Sequence, residues 1–116
     1  MIYIFETKLY DNKSIIFALS FVYGIGIKQS TEICKKLGFA KNLKVKNLSE
    51  DQVKKLVKLI ETSDLIITSD LKKFKNLLLK TLVSIKSYKG LRKIKGLPIR
   101  GQRTHTNSRT ARKIRN

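Results

Sequence analysis

Two groups of residues in this chain of 116 amino acids have the side chains and spacing needed to bind phosphate. The first is the segment YGIGIKQS at residues 23–30, in which Gly24 and Gly26 bracket one apolar residue and Lys28 follows. Two glycines at this spacing let the backbone approach a phosphate closely, and the amides that begin the next helix can then hold it. A Gly-x-Gly turn between packed helices is also often only a turn, so this glycine hairpin alone leaves both interpretations open.

The second group is the C-terminal segment, which combines positive charge with hydrogen-bond donors. Its candidate RNA-binding residues are Tyr88, Lys89, Gly90, Arg92, Lys93, Lys95, Arg100, Gly101, Gln102, Arg103, Thr104, His105, Thr106, Asn107, Arg109 and Arg112. Guanidinium groups contact phosphate in pairs of hydrogen bonds, and the hydroxyl and amide side chains between them can donate to phosphate or ribose. Tyr88 could stack on a base or close a helix against the core, and we favour the core position. A solubilising tail is the alternative, although lysine would serve that purpose equally well.

The distribution of charge points to a polyanionic partner. Asp70 is the last acidic residue, and the 46 residues after it carry fifteen Lys and Arg. The first seventy residues hold eleven basic and eight acidic side chains, so +15 of the formal net charge of +18 lies after Asp70. All six arginines lie between Arg92 and Arg115. Nucleic acid is the partner that this asymmetry predicts.

Few residues are arranged for catalysis or metal binding. The single histidine, His105, has no carboxylate after it to orient it, and we expect a phosphate beside it instead. The single cysteine, Cys34, falls on the apolar side of a predicted helix, where a buried thiol is expected rather than a nucleophile. No Cys/His pair has metal-ligand spacing, and the apolar run at 15–22 is too short to cross a bilayer. We therefore expect no enzyme, metal, cofactor or membrane contact.

The apolar pattern predicts an all-α fold in which a helical domain at residues 1–87 precedes an extended basic tail at 88–116. A short extended segment opens the chain, and an apolar, central helix is predicted over 13–23. The glycine hairpin then connects it to a second helix that opens at Ser30 or Thr31. This order of helix, glycine hairpin and helix is like that of helix-hairpin-helix modules.

Two further helices are predicted in this domain. Gly38 supplies the left-handed position that ends the second helix, and the spacing of Ser49 and Gln52 is a capping box for the third. Ser69 or Asp70 caps the fourth and longest helix, which runs to about Ser87. Its apolar stripe consists of Leu71, Phe74, Leu78, Leu82 and Ile85. The tail has too little apolar surface to offset the cost of ordering it, so we expect it to order only on a partner.

Taken in order, these motifs strongly resemble the bacterial-type small-subunit ribosomal protein thirteen family. The resemblance rests on the apolar helix ending in YGIG, on LSEDQ and SDLKK at two helix starts, and on YKGLRKIKGLPIRGQRTHTNSRTARK. Its most specific part is GLPIRGQRT at residues 96–104, and it runs from about Leu9 to Lys113.

The family resemblance implies a set of partners and no catalysed reaction. It implies a helix-two-turn-helix domain that sits in the head of the small subunit, with the tail among the head helices of small-subunit rRNA. It also implies pairing with small-subunit protein nineteen, and bridges to large-subunit ribosomal protein five and an arm of large-subunit rRNA. Contact with tRNA in the P site is implied less directly, because the chain ends at Asn116, before the family's usual lysine-rich extension.

The composition favours a mitochondrial member of the family. Twenty lysines and fourteen isoleucines suggest an AT-rich genome, and the M-x-Y-I opening resembles mitochondrial members. The opening lacks the pattern of a presequence, which favours organelle encoding. We therefore expect the mitochondrial matrix, within the mitoribosome, with a plastid or a bacterial cytoplasm as the alternative. The competing function is a helix-hairpin-helix DNA-binding module, and an enzyme is a distant third.

Overall fold

The computed structural model describes residues 1–106 and 108–115, and most of the described chain is helical. Its residues group into two compact units, Met1–Leu71 and Lys72–Asn116. The predicted all-α class is confirmed, with one two-stranded hairpin added to it. The functional division into a domain at 1–87 and a tail at 88–116 stays a prediction.

The first unit opens with a β-hairpin. Strand β1 (Ile2–Ile4) pairs antiparallel with β2 (Thr7–Leu9). Phe5 and Glu6 join them at φ 46° and 65°, and two positive φ values in a two-residue loop are the geometry of a type I′ turn. The extended segment expected from the sequence is therefore two short strands.

Helix α1 (Ile15–Leu19) is shorter than the helix predicted over 13–23. Ser14 before it is extended, with φ −66° and ψ 150°, and the first helical amide donates to the Leu43 carbonyl at 2.8 Å. After α1 the backbone amides donate to carbonyls three residues back, so the chain tightens into turns that lead to Gly24.

Helix α2 (Ile27–Lys36) begins before the predicted start at Ser30 or Thr31. Gly26 is its N-cap, and the Gly26 amide donates to Oε1 of Gln29 at 3.2 Å. The Ser30 hydroxyl donates back to the Gly26 carbonyl at 2.9 Å, so it lies inside the first turn instead of capping it.

Two helix boundaries agree with the sequence prediction. Gly38 adopts φ +70° just after α2. At the start of α3 (Glu50–Thr62), the Gln52 amide donates to Oγ of Ser49 at 3.3 Å, and the Ser49 amide donates to Oε1 of Gln52 at 3.0 Å. These reciprocal bonds confirm the predicted capping box.

The core lies in the first unit. Helix α1 packs against α2, and α2 contacts α3. The buried apolar residues are Ile4, Leu9, Ile15, Ala18, Leu19, Val22, Ile25, Ile33, Cys34, Val45, Leu56, Ile60 and Ile67. All of these buried side chains precede α4, so the hydrophobic core of the described chain belongs to the first unit.

Helix α4 (Thr68–Ser84) is the longest described helix, as predicted. It ends at Ser84 because Lys86 adopts φ +56°, which interrupts the helix, and Ser87 caps the next one instead. None of the α4 residues is buried, so its predicted apolar stripe does not form a core face. No described helix is both long and apolar enough to cross a membrane.

The C-terminal segment is only partly extended. Helix α5 (Tyr88–Ile94) and helix α6 (Arg109–Arg115) lie against each other, and residues 95–106 between them form turns, bends and irregular backbone. The expectation of an extended tail is therefore wrong for the two helices. It failed because it relied on apolar periodicity, whereas α5 begins on a polar cap, in which the Gly90 amide donates to Oγ of Ser87 at 3.2 Å.

Cys34 is buried in the core as predicted, and desolvation raises the pKa of its thiol. We expect Ellman's reagent to modify Cys34 at neutral pH roughly a hundredfold more slowly in the folded chain than in urea, because access needs a local opening of about 3 kcal/mol. A Cys34→Ser, Ser84→Cys variant carries an exposed thiol and is the control, with similar rates in both conditions. Equal rates for Cys34 itself would contradict its burial.

Candidate nucleic-acid interface

The two glycines of the hairpin occupy different environments. Gly24 adopts φ +104°, and a Cβ there would lie 3.1 Å from both the Ile66 carbonyl oxygen and the Ile67 Cα. The neighbouring Tyr23 carbonyl accepts from the Thr68 amide at 2.8 Å. Glycine is therefore required at position 24 because the turn packs closely against the chain that enters α4. For Gly24, the motif is a turn between packed helices.

Gly26 is open to solvent. It has an ordinary extended backbone, with φ −94° and ψ 174°, and a Cβ built on it would meet no atom within 4 Å. Ile27 and Lys28 follow it and are exposed at the start of α2. No internal contact requires glycine here, so a phosphate from outside can approach the backbone beside a lysine.

Tyr88 is 69% exposed, so its predicted place against the core is wrong. The guanidinium carbon of Arg92 lies 5.7 Å from the centroid of the Tyr88 ring, and Nε of Arg92 donates to the Pro98 carbonyl at 3.0 Å. The tyrosine ring and the arginine thus form one surface feature of α5, with most of the ring free for stacking.

Gly90 positions α5 and does not face solvent. It is buried, and a Cβ at this position would lie only 2.6 Å from the Leu82 carbonyl oxygen. This close contact with the end of α4 leaves Lys89, Lys93 and Lys95 exposed around the helix. The basic cluster predicted around Gly90 is therefore present on the surface, and Gly90 acts through packing.

Residues 100–106 present their side chains to solvent. Every residue in this range is exposed, and they include Arg100, Arg103 and His105. The Arg100 amide donates to Oε1 of Gln102 at 2.9 Å, and Gly101 turns the chain at φ +75°. The predicted spacing of guanidiniums by hydroxyl and amide groups is present, while Asn107 lies outside the described residues.

Helix α6 holds the last two predicted contact residues. Arg109 is exposed, whereas Nη2 of Arg112 donates to Oγ of the buried Ser108 at 3.2 Å. Arg112 therefore also holds the residue that precedes α6 against the first turn of the helix. Arg109 is the freer of the two guanidiniums for an external phosphate.

An exposed aromatic group near α1 was missed by the sequence prediction. The run at 13–23 reads as a helix apolar on all sides, but Phe17 and Phe21 are both exposed, and Tyr10 and Lys13 lie beside them. The sequence does contain a sign of this group. Lys13, Phe17 and Phe21 are spaced four residues apart, so they lie on the same side of the predicted helix, and the lysine marks that side as exposed.

The candidate interface has the positive charge and the hydrogen-bond donors that binding of a polyanion requires. The second unit carries all fifteen cations that follow Asp70 and no carboxylate side chain. Among the described residues, no three His, Cys, Asp or Glu side chains are placed to hold a metal ion. A small helical core with exposed Arg, Lys and hydroxyl side chains is typical of the class of RNA-binding proteins that act by contact.

Comparison with known proteins gives the particular family. The family described as "Ribosomal protein S13/S18" matches residues 3–110. Small ribosomal subunit protein uS13m of Marchantia polymorpha is 41% identical over 115 residues, covering 99% of this chain and 95% of the relative. The uS13m of Schizosaccharomyces pombe is 40% identical (98% and 74% covered), and uS13 of Borrelia duttonii is 45% identical (86% and 79% covered). The chain belongs to the ribosomal protein S13 family.

Membership in this family fixes the general role. The protein is a structural, non-enzymatic constituent of the small ribosomal subunit and binds rRNA. The family match spans both the glycine hairpin and the tail motif as far as residue 110, so the helix-hairpin-helix DNA-binding alternative is not supported.

The contrast between the two hairpin glycines gives a stability prediction. Gly24→Ala should lower the free energy of unfolding by about 1–3 kcal/mol, because alanine is strained at φ +104° and its Cβ crowds the Ile66 and Ile67 backbone. The measurement is urea unfolding of the full chain followed by far-UV circular dichroism. Gly26→Ala is the matched control and should cost no more than about 1 kcal/mol, since its only expected penalty is a weaker N-cap. Equal losses in the two variants would contradict the distinction.

Proposed function

We propose that this protein binds rRNA in the head of the small subunit of the mitochondrial ribosome, through the hairpin at Gly26 and through the basic C-terminal segment. The observation that carries the proposal is the exposed basic surface of the C-terminal segment, in a part of the sequence with no Asp or Glu. Its exposed cations are Lys89, Lys93, Lys95, Arg100, Arg103 and Arg109. Self-repulsion in such a segment is relieved when phosphates neutralise it.

At the hairpin, the proposed contact is one phosphate on the open side of Gly26. The backbone there can approach a ligand without steric obstruction, and Lys28 and the first turn of α2 lie next to it. The positive end of the helix dipole and the lysine then favour the same anion. Gly24 contributes by holding the turn in place.

In the C-terminal segment, residues 100–106 supply the proposed contacts between rRNA helices. Arg100 and Arg103 are exposed and can bind phosphate oxygens in pairs, and the Thr104 hydroxyl can donate to ribose or phosphate. On α5, Tyr88 and Arg92 offer a stacking pair for an unpaired base.

The proposed protein partners are small-subunit protein nineteen and large-subunit ribosomal protein five, with an arm of large-subunit rRNA and the P-site tRNA as further contacts. Exposed apolar side chains in the second unit support a protein partner on this unit. Leu77, Leu78 and Ile85 are 51–66% exposed, and Leu91 of α5 is 46% exposed. Large apolar side chains left in water at several positions favour a contact with another protein.

The proposed location is the mitochondrial matrix. Relatives from Marchantia polymorpha and Schizosaccharomyces pombe with the designation uS13m match 98–99% of this chain at 40–41% identity. These relatives and the lysine-rich composition of this chain both favour the mitoribosome over a plastid or bacterial ribosome.

Removing three exposed arginines should change the salt dependence of RNA binding. We expect Arg100→Gln, Arg103→Gln and Arg109→Gln together to reduce the slope of log Kd against log salt by about 2–3, at roughly 0.7–0.9 per phosphate contact. The measurement is fluorescence anisotropy with a labelled fragment of head-domain rRNA. Replacing Lys54, Lys55 and Lys58 on the exposed face of α3 by Gln removes the same charge and should leave the slope nearly unchanged. An unchanged slope in the arginine variant would exclude these contacts.

The location in the ribosome can be tested with a tagged copy from the native source. We expect it to sediment with the small subunit at moderate salt, and ultraviolet crosslinks from the C-terminal segment to map to head-domain rRNA of mitochondrial sequence. Crosslinks to plastid or bacterial rRNA would contradict the mitochondrial location. Crosslinks only outside the head would contradict the placement.

A further inference from the structure

A group of side chains on the first unit is used by neither the hairpin nor the C-terminal segment. We call it the aromatic-lysine surface, and it consists of Tyr10, Phe17, Phe21, Lys8 and Lys13. The three rings are 47–57% exposed, and both lysines are exposed. Three large aromatic rings left in water on a small domain mark a contact surface.

The rings and the ammonium groups are arranged around one another. The Tyr10 and Phe21 ring centroids are 5.8 Å apart with an interplanar angle of 70°, an edge-to-face pair. Nζ of Lys13 lies 4.3 Å from the Phe21 centroid and 5.6 Å from the Tyr10 centroid, and Nζ of Lys8 lies 5.9 Å from the Tyr10 centroid. These contacts restrain the side chains, so less conformational entropy is lost when a ligand binds.

A shallow depression of about 340 Å³ lies beside this pair. It is lined by Lys13, Ser14, Phe17, Ser20 and Phe21, which include two aromatic rings, two hydroxyls, one ammonium group and no carboxylate. The Ser14 Oγ is buried and has no hydrogen-bond partner among the described residues. The Ser20 hydroxyl already donates to the Phe17 carbonyl at 2.7 Å. The depression thus combines apolar ring surface with two donors, the Lys13 ammonium and the Ser14 hydroxyl, the combination that a base and its phosphate require.

The charges favour RNA over a protein as the occupant. The basic residues of the surface are lysines, and the adjacent carboxylate, Asp11, pairs with the amino terminus at 3.8 Å. Alternating aromatic and basic side chains are typical of surfaces that bind unpaired nucleic acid, because every base has a face for stacking and every linkage has a charge.

We propose that the aromatic-lysine surface binds an unpaired segment of RNA, with a base stacked against Phe17 and Phe21 and the adjoining phosphates beside Lys8 and Lys13. This is a third RNA contact, separate from the hairpin and the C-terminal segment. It fits a single strand because the bases of a duplex present no free face.

The test uses the full chain with 4-fluorophenylalanine at its five phenylalanines. Each fluorine signal is assigned by a Phe→Leu variant, and the labelled wild type is titrated with the hexanucleotide rA6. We expect the Phe17 and Phe21 signals to shift and saturate. Phe74 is the control, because it is as exposed as Phe21 (46% against 47%) but lies in α4, outside the aromatic-lysine surface. Its signal should not shift. Phe21→Leu should weaken the affinity reported by Phe17 at least about fivefold, the lower limit for loss of one stacked base.

Two comparisons separate stacking from charge. A base-free sugar-phosphate hexamer should shift the Phe17 and Phe21 signals much less than rA6 does, because it offers no base to stack on the rings. Lys13→Gln should lower the salt slope of the Phe17 titration with rA6 by about 0.7. The proposal is overturned if Phe17 and Phe21 remain unmoved while anisotropy shows rA6 bound elsewhere on the chain, which would leave a protein as the occupant. It is also overturned if the base-free hexamer shifts both signals equally.

Discussion

Electrostatic repulsion within the second unit is the constraint on which the rest of this structure depends. Fifteen cations follow Asp70, and the boundary between the compact units falls at Leu71, one residue later. The change in charge along the chain thus coincides with the change in packing. The first unit buries the apolar core, while the second has almost no buried apolar side chain to oppose repulsion. The proposed rRNA contacts would offset the repulsion between these cations, because each phosphate neutralises part of their charge.

The division also explains which elements the sequence could predict. Ser49, Gln52 and Gly38 were read correctly because their effect is local, through one hydrogen-bonded turn or one positive φ. The start of α2 was placed too late because Ser30 resembles a cap, while the true cap is Gly26, whose partner is a side chain in the next turn. Helix α1 was predicted too long because its start depends on Leu43, which is distant in sequence, and because the chain after Leu19 tightens into turns.

The sequence predicts which basic residues the candidate interface contains, but not the role of each glycine and aromatic residue in the structure. The basic side chains from Lys89 to Arg109 follow from charge alone, and those described lie mostly on the surface. Sequence could not tell that Gly90 and Gly24 are packing glycines, because the atoms they approach belong to other segments. Exposure of Phe17 and Phe21 was equally hidden, since an apolar residue in an apolar run is normally assigned to the core.

The first turn of the chain has a consequence for the order in which the protein can fold. Glu6, at the tip of the β-hairpin, accepts from the Ser69 hydroxyl at 3.1 Å, and the Tyr23 carbonyl accepts from the Thr68 amide. Both contacts join the beginning of the chain to residues that a ribosome adds more than forty positions later. During synthesis these two contacts can therefore form only after the start of α4 has left the exit tunnel. They complete the first unit while the strongly basic segment behind it is still being made.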